Sequence, residues 1–417
     1  MDADYTDVVL GIFILVSVLL FATVGILLIV RDARRYQQFP CLPSVTSLGS
    51  PSMCAADRHA SISLIIPARN EARNIKRSVQ GCLAQQGDRD VEVIVVDDGS
   101  SDATPDILAG LLRTTSGYPG RSMKVLQGRP LPAGWVGKCN ACAHGASSAT
   151  GDWLMFLDAD TAPQPLLAEA MITNAVANDL DACSVWPFQE LGTLGEKLVI
   201  PTFSHLVATV FPLTNLSNPE SPPDLTAANG QCILVKRTVY ESIGGHAAVK
   251  ASLLEDVHLA QTLRRSGFRY CVVNAQEHLR VRMYQSFMEI VEGFTKNAYS
   301  GTTTNPARTL VGFVETCMTT LWPPVVFLMS MIASYLFGGG VVIIAMMVSL
   351  IWYGASLWFW RGHLSVYYLL PGRLSVLMSV GLLMYFMIAA RGQLRGAMGR
   401  GVTWKGRRVD LENASGL

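Results

Sequence analysis

The stretch Val91-Glu-Val-Ile-Val-Val-Asp-Asp-Gly-Ser100 decides the fold class of this chain. Its mostly β-branched start is typical of a strand buried on both faces, and the Asp-Asp-Gly-Ser end is typical of a turn. Similar runs occur on both sides of it, and each is followed by a polar turn and an amphipathic stretch. Because strands that alternate with helices form a mostly parallel, Rossmann-like sheet covered on both faces, the pattern predicts an α/β domain. The predicted strands are 62–66, 91–96, 124–126 and 153–157, and the predicted helices are 71–85, 104–113 and 138–149.

Acidic or polar clusters follow three of these strands. They are Pro67-Ala-Arg-Asn-Glu71, Asp97-Asp-Gly-Ser-Ser-Asp102 and Asp158-Ala-Asp160. Each alone is compatible with an ordinary turn or a helix cap. Ligands of such sheets bind beyond the carboxyl ends of the strands, so the three clusters together predict one shared crevice.

The residue types in the crevice suit a nucleotide-linked sugar. A carboxylate can accept hydrogen bonds from a base or ribose, and an Asp-x-Asp pair can hold Mg²⁺ or Mn²⁺ against a diphosphate. Lys138 stands at a predicted helix start, where it can meet a phosphate or simply be solvated. Asp256 opens another amphipathic helix, either as a helix cap or as a general base that deprotonates an acceptor hydroxyl.

Two apolar zones flank this domain. Residues 8–30 carry no charge and are long enough to cross a bilayer. Arg31, Arg34 and Arg35 follow, which predicts that the chain enters the cytoplasm there. The second zone, 311–390, divides by sequence into Val314–Phe337, Val341–Trp360 and Ser365–Ala390, with expected breaks at 338–340 and 361–363.

The charges at the end of the chain conflict with three C-terminal crossings. A cytoplasmic domain followed by three crossings places the basic tail, 391–417, outside, whereas its arginines and lysines predict an inside location. Either one segment is re-entrant or interfacial, or the charge rule fails. Pro323-Pro324 and Pro371 mark the two candidate segments, and the sequence leaves two or three membrane helices open.

Composition supports this division of the chain. Of the 417 residues, 50% are hydrophobic, 16% are charged, and the net charge is +1. These values argue against a wholly soluble enzyme, a disordered chain or a nucleic-acid binder. Nine scattered cysteines suit reduced, cytosol-facing thiols. We expect a membrane helix at 8–30, a Pro-, Ser- and Gly-rich linker at 40–58, a cytoplasmic domain at 60–300, a membrane region at 311–390 and a basic tail.

Together the motifs resemble glycosyltransferase family 2. The resemblance rests on Ser63-Leu-Ile-Ile-Pro-Ala-Arg-Asn-Glu71, the two acidic clusters that follow it, and Glu255-Asp256. It implies a GT-A fold, inverting transfer and a divalent metal. By position, the resemblance implies that Glu71 and Asp98 contact the nucleotide, that Asp160 binds the metal with Asp158 near the ribose or metal, and that Asp256 is the base.

The remaining site expectations follow from the same resemblance. Pro67, Asp97 and Lys138 are expected to bind the nucleotide sugar, and Glu255 is expected to be catalytic together with Asp256. Asn229, Gly230 and His246 are expected on the acceptor side.

Finer motifs are similar to two membrane-bound subgroups whose acceptors are apolar lipids. Leu131-Pro-Ala-Gly-Trp-Val-Gly-Lys138, Leu198–Pro201, Ala228–Cys232 and Ile243–His246 resemble the hopanoid-associated enzymes. The stretches from Arg282 through Asn297 resemble carotenoid glycosyltransferases.

The sequence therefore predicts a membrane-bound enzyme that moves one sugar from a nucleotide-sugar donor to a lipid hydroxyl. The alternatives are a polysaccharide synthase, a polyprenyl-phosphate glycosyltransferase, or a non-catalytic membrane scaffold or transporter. Processive synthases carry a Gln-x-x-Arg-Trp motif, and the corresponding stretch Arg280-Val-Arg-Met-Tyr-Gln285 lacks the tryptophan. The apolar run 191–213 is interpreted either as core or as a segment that docks the domain on the bilayer.

Overall fold

A computed structural model describes residues 2–43, 60–398, 402–404 and 407–409. Most of the expected linker at 40–58 and about half of the expected basic tail therefore lie outside the described residues. Two short antiparallel strands, β11 (Val402–Trp404) and β12 (Arg407–Val409), belong to the tail.

The core of the chain is a seven-stranded sheet with the order β3-β2-β1-β4-β8-β6-β9. Within this sheet β8 pairs antiparallel with β4 and β6, and the other pairs are parallel. A small sheet of β5, β10 and β7 lies beside it. The remaining strand bounds are β1 Ile62–Ala68, β2 Val91–Asp97, β3 Arg121–Gln127, β4 Trp153–Leu157, β5 Thr161–Pro163, β6 Ala182–Trp186, β7 Phe188–Gln189, β8 Cys232–Lys236, β9 Tyr270–Asn274 and β10 Leu279–Val281. The predicted α/β class and mostly parallel sheet are confirmed.

Strands β1, β2 and β4 are buried along almost their whole length, as their apolar sequences predict. Alternate side chains enter two separate cores, one on each face of the sheet: Ile65 and Ile94 lie in one core, and Leu64 and Val93 in the other. Both faces are therefore covered, which leaves the carboxyl edge of the sheet as the place for a site.

Helices cover the sheet and extend beyond it. Their bounds are α1 Asp2–Gln38, α2 Ile75–Leu83, α3 Thr104–Thr114, α4 Gly137–Ser147, α5 Leu167–Ala177, α6 Leu194–Val210, α7 Leu213–Leu216, α8 Arg237–Ser242, α9 Glu255–Arg265, α10 Phe287–Thr304, α11 Pro306–Thr316, α12 Trp322–Phe337, α13 Gly340–Tyr367 and α14 Met378–Ala397. A π-helical turn, Cys317–Leu321, joins α11 to α12.

Helix α2 begins at Ile75, four residues later than the pattern predicts. Asn70 adopts a positive φ of 53°, and the amide of Glu71 donates to Thr104 Oγ1 rather than entering a helix. The first residues after β1 are thereby held as a turn facing the β2 end.

Four helical segments of the described chain are long and apolar enough to cross a membrane: Val8–Gln38, Pro306–Phe337, Gly340–Tyr367 and Gly372–Ala397. The expected break at 361–363 is wrong, because α13 continues through it to Tyr367. A single glycine costs a helix only about 1 kcal/mol, so Gly362 does not end it. The chain turns instead at Leu369, whose φ is 52°, and Pro371.

The apolar run 191–213 forms α6, which joins the sheet domain to the C-terminal helices. Most of its side chains are buried, which supports the core interpretation for them. Gly381 of α14 meets the carbonyl of Leu198, and Gly312 of α11 meets Val210, so closely that a Cβ at either glycine would clash. Small residues at helix crossings allow this close approach, which fixes the domain against the apolar helices.

Candidate active site

One cavity of about 830 Å³ opens at the carboxyl edge of the large sheet. Residues after β1, β2 and β4 line one end of it. Because β8 is antiparallel to β4, the residues that precede β8 reach the same edge, and the amide of Asp158 donates to the carbonyl of Gln231. The helix starts of α4 and α9 complete this polar end.

The turns after β1 and β2 are tied together by hydrogen bonds. The Asn70 amide donates to Ser100 Oγ at 2.9 Å, and the Ser101 amide donates to Asn70 Oδ1 at 2.8 Å. Pro67, Glu71 and Asp98 line the cavity there. This brings together the predicted nucleotide-side residues from two strand ends.

Asp97 has a different position from its neighbour Asp98. It is 2% exposed, and its Oδ1 accepts from the Ser100 amide at 3.0 Å, which holds the turn. The contact described for Asp97 is thus within its own turn rather than on the cavity wall. Its proposed donor contact remains a prediction without support from this geometry.

Lys138 lies between two carboxylates. Its Nζ is 2.7 Å from both Asp158 Oδ1 and Glu255 Oε1. Burial lowers the pKa of Lys138, but the charges of Asp158, Glu255 and Asp256 outweigh burial and hold the pKa well above its ordinary value. Burial also works against the charge of Glu255, yet Lys138 and Lys296 keep the pKa of Glu255 below its ordinary value. A charged lysine therefore connects the β4 end to the start of α9.

Asp160 has one carboxylate oxygen that no other group of the described chain contacts by a hydrogen bond. Its Oδ1 is buried and has no hydrogen-bond partner among the described residues. Burial, with the nearby charge of Asp158, raises the pKa of Asp160 to about 7. An unpaired buried carboxylate is costly unless a cation or proton joins it, so this oxygen can receive a positively charged ligand.

Asp256 is oriented by two backbone amides. Its Oδ2 accepts from the Gly230 amide at 2.8 Å, and its Oδ1 accepts from the Val257 amide at 2.8 Å. Burial and the charge of Glu255 raise its pKa to about 6. A Cβ on Gly230 would lie 2.9 Å from Asp256 Oδ2 and 3.2 Å from Lys138 Nζ, so glycine allows the backbone to approach both groups.

Of the three residues expected on the acceptor side, two line the cavity and one lies in the core. Asn229 and Gly230 line the cavity beside Asp256. His246 is 2% exposed, accepts or donates a 2.9 Å hydrogen bond with Tyr240, and packs on the ring of Phe156. These contacts give His246 a core position, and its acceptor role remains a prediction.

Sequence reasoning gave no role to several residues that reach the site. Lys296 of α10 is close enough to influence Glu255, Asp256 and Asp158, and Tyr284 lines the cavity next to α10. Both belong to stretches that carry the resemblance, but neither has a local pattern that marks a ligand. Arg282 also lines the cavity, and its guanidinium lies 3.4 Å from Glu196 of α6.

The other end of the cavity is apolar. It is lined by side chains of α6 and by one tyrosine of α14: Phe203, Leu206, Val207, Val210 and Tyr385. The ring of Phe203 lies 5.4 Å from that of Tyr385, with Phe294 of α10 against both. We call this end the apolar arm. It begins among the helices that join the domain to the membrane-type segments.

The family comparison agrees with this geometry. Residues 63–244 match the family model described as Glycosyl transferase family 2. These residues are similar to family 2 glycosyltransferases. The matched residues include the three strand-end clusters and Lys138, and Glu255 and Asp256 follow shortly after.

Curated relatives that match this chain are of the carotenoid type. The 4,4'-diaponeurosporenoate glycosyltransferase of Staphylococcus haemolyticus is 28% identical over 260 residues, which cover 59% of this chain and 63% of the relative. The protein of the same name from Staphylococcus aureus strain USA300 is 27% identical over 248 residues, covering 58% and 62%. The chain thus spans less than two thirds of either relative. The resemblance to carotenoid enzymes is confirmed, and the hopanoid likeness stays a prediction.

A solved structure confirms the fold of the sheet domain. The mannosyltransferase PcManGT from Pyrobaculum calidifontis, in complex with GDP-Man and Mn²⁺, aligns with a TM-score of 0.51 at 16% identity. The alignment covers 91% of this chain and 99% of that one. The domain has the GT-A fold that the resemblance implies.

Proposed function

We propose that this protein is a membrane-bound inverting glycosyltransferase that moves a single sugar from a nucleotide-sugar donor to the hydroxyl of a lipid. The main support for the proposal is that the carboxylate-rich end and the apolar arm belong to the same cavity. A water-soluble donor suits the first end and an apolar acceptor suits the second. The carotenoid-type relatives support a lipid acceptor.

The polar end fits a divalent cation that is held together with the donor. Four carboxylates, those of Asp158, Asp160, Glu255 and Asp256, face two lysines there. Within the described ranges, no group of three His, Cys, Asp or Glu side chains forms a metal site. Mg²⁺ is commonly bound by one or two carboxylates and the phosphates of a substrate. We assign Asp160 and Asp158 as the protein ligands of Mg²⁺ or Mn²⁺, which when bound would neutralise charge on the diphosphate.

The side chains of the cavity can carry out a single displacement. Asp256 accepts the proton of the acceptor hydroxyl while that oxygen bonds to the anomeric carbon and the bond from this carbon to the diphosphate breaks. Lys138 and Lys296 are positioned to offset negative charge on the diphosphate as it leaves. Glu71 and Asp98 are assigned to the nucleoside. Fixing donor and hydroxyl in one cavity would supply much of the rate acceleration.

We further propose that the domain faces the cytoplasm, where nucleotide sugars are available. The three arginines that follow the apolar part of α1 support this orientation. Arg31 pairs with Glu315 through two hydrogen bonds, of 3.0 and 2.9 Å, which ties the end of α1 to α11 beside the domain.

The direct test is a lipid analysis of cells with and without the intact gene. We expect one lipid species to shift by the mass of one hexose, and the purified protein to make the same product from a nucleotide sugar with Mn²⁺ or Mg²⁺. A ladder of hexose additions would favour a polymerase. No product and no donor turnover with any nucleotide sugar would exclude the enzyme proposal.

The transfer rate should depend on pH through Asp256. Since its pKa is raised to about 6 and the base must be deprotonated, kcat should be constant above pH 7. It should fall about tenfold per pH unit well below 6. Transfer rates measured between pH 5 and 8 at saturating donor, acceptor and Mn²⁺, which keeps Asp160 in its charged form, test this expectation. A rate that stays flat down to pH 5 would contradict the assignment.

A polar side chain in the apolar arm should weaken lipid binding selectively. For Val207→Asn we expect the KM for the lipid to rise about 10-fold or more, since an unpaired buried amide costs about 1–3 kcal/mol. Donor hydrolysis without acceptor should change little. Val176→Asn is the matched control, because Val176 is a half-buried valine of α5 outside the cavity lining. Equal effects of both substitutions on lipid KM would remove the arm from the acceptor site.

A further inference from the structure

Three C-terminal crossings would place the basic tail, 391–417, outside, whereas its positive charge predicts an inside location. The directions of the apolar helices bear on this conflict. Helices α1 and α13 pack side by side and run the same way. A Cβ on Gly11 would contact Val341 and Val342, Gly25 faces Trp352, and the ring of Tyr36 lies 4.4 Å from that of His363. Contacts that advance together along both helices require parallel axes. Helix α1 crosses towards the side of the catalytic domain, and α13 therefore crosses in the same direction. Helix α12 crosses in the opposite direction, from the domain side to the start of α13.

The two helices also end together near the catalytic domain. Tyr367 Oη donates to the carbonyl of Tyr36 at 2.6 Å, at the end of both helices. The chain therefore leaves α13 on the same side as the catalytic domain. Helix α14 starts from that side.

Helix α14 then runs along helices that belong to the active site. Gly381 meets the carbonyl of Leu198 in α6, and Gly392 meets the carbonyl of Thr295 in α10. Gln393 Nε2 donates to the carbonyl of Ala298 at 3.3 Å. Thr295 is next to Lys296, whose pKa responds to the site carboxylates. A helix that crossed the membrane would move away from α6 and α10 within a few turns. Helix α14 instead contacts one or the other of these two helices near both of its ends.

The opposite face of α14 is an apolar stripe. Val380, Leu383, Met387, Leu394 and Met398 are 45–66% exposed and recur at helical spacing. Exposed Arg391 lies on the same face, between Met387 and Leu394, and exposed Arg373 precedes the helix. An exposed apolar face that carries arginines suits the boundary between headgroups and acyl chains, where arginine side chains can reach the headgroups.

We propose that α14 lies flat in the leaflet that faces the catalytic domain, and that only α1, α12 and α13 cross the membrane. Three crossings return the basic tail to the side of the domain, which removes the conflict between tail charge and crossing number. The helix then carries Tyr385 and the apolar arm at the depth of lipid headgroups. This arrangement does not depend on which sugar is transferred, or on whether transfer occurs at all.

Site-specific labelling of the full chain in native membrane vesicles tests the number of crossings. In a background with Cys41→Ser and Cys54→Ser, single cysteines are introduced as Gly110→Cys, Gly340→Cys or, in the basic tail, Ser415→Cys. Gly110 lies on the exposed side of α3 and Gly340 at the α12–α13 loop, and neither position crowds a Cβ. We expect an impermeant maleimide to label Gly110→Cys and Ser415→Cys from one face and Gly340→Cys from the other. Labelling of Ser415→Cys together with Gly340→Cys, or of all three from one face, would overturn the proposal.

A depth measurement provides an independent check. Spin labels attached through Leu383→Cys and Leu394→Cys should show similar accessibility to oxygen and to a polar relaxation agent. A crossing helix would separate these positions by about 16 Å in depth, at about 1.5 Å per residue. A depth difference of that size would overturn the interfacial assignment even if labelling were ambiguous.

Discussion

Asp160→Asn should lower kcat by on the order of a thousandfold, because it removes the carboxylate charge assigned to the metal. A cation that stabilises a leaving diphosphate is worth several kcal/mol, and each 1.4 kcal/mol is a factor of ten in rate. The substitution should not unfold the protein. Burial disfavours the charged form of Asp160, and a neutral amide of the same size avoids that cost.

A binding readout separates metal loss from other causes. Wild-type protein with donor should gain thermal stability when Mn²⁺ is added, since a ligand that binds the folded state stabilises it. Asp160→Asn should lose most of that gain. The exposed Asp88, outside the cavity lining, provides the matched control as Asp88→Asn. If Asp160→Asn keeps Mn²⁺-dependent turnover, the metal ligand is another residue.

The strand ends could be predicted from sequence because local patterns determine them. A buried β-branched run followed by an acidic turn is recognisable at β1, β2 and β4, and parallel pairing brings those ends to one edge. The finer choice between Asp97 and Asp98 could not be made in this way. Adjacent residues at a strand end point to opposite sides, and only the turn geometry shows that Asp97 accepts from Ser100.

Residues that reach the site through helix packing could not be predicted. Lys296 and Tyr385 arrive on α10 and α14, more than a hundred residues beyond the strand ends. Their position depends on the close packing of helices at Gly381 and Gly392. The periodicity of the local sequence does not predict which helices meet there. The incorrect break at 361–363 has the same origin. Arg361 and Gly362 look like a turn, but the packing of α13 on α1 sustains the helix through them.

Asp256→Asn should lower kcat by about 10²–10⁴-fold, the usual contribution of a general base. An asparagine can still accept from one of the two amides that orient Asp256, so donor affinity should stay near that of the wild type. The acidic limb of the pH profile should disappear with the titrating group. Single-turnover transfer and donor binding measured separately distinguish loss of chemistry from loss of binding.

The same substitution discriminates between acceptor classes. A lipid hydroxyl must lose its proton as it attacks, whereas a phosphate acceptor is already an anion and needs no base. Glu255→Gln is a useful companion, because Glu255 pairs with Lys138 and is not oriented by the Gly230 amide. Its loss should affect donor binding more than the pH profile. Near-normal turnover of Asp256→Asn with the natural acceptor would therefore count against a hydroxyl acceptor and favour a polyprenyl-phosphate acceptor.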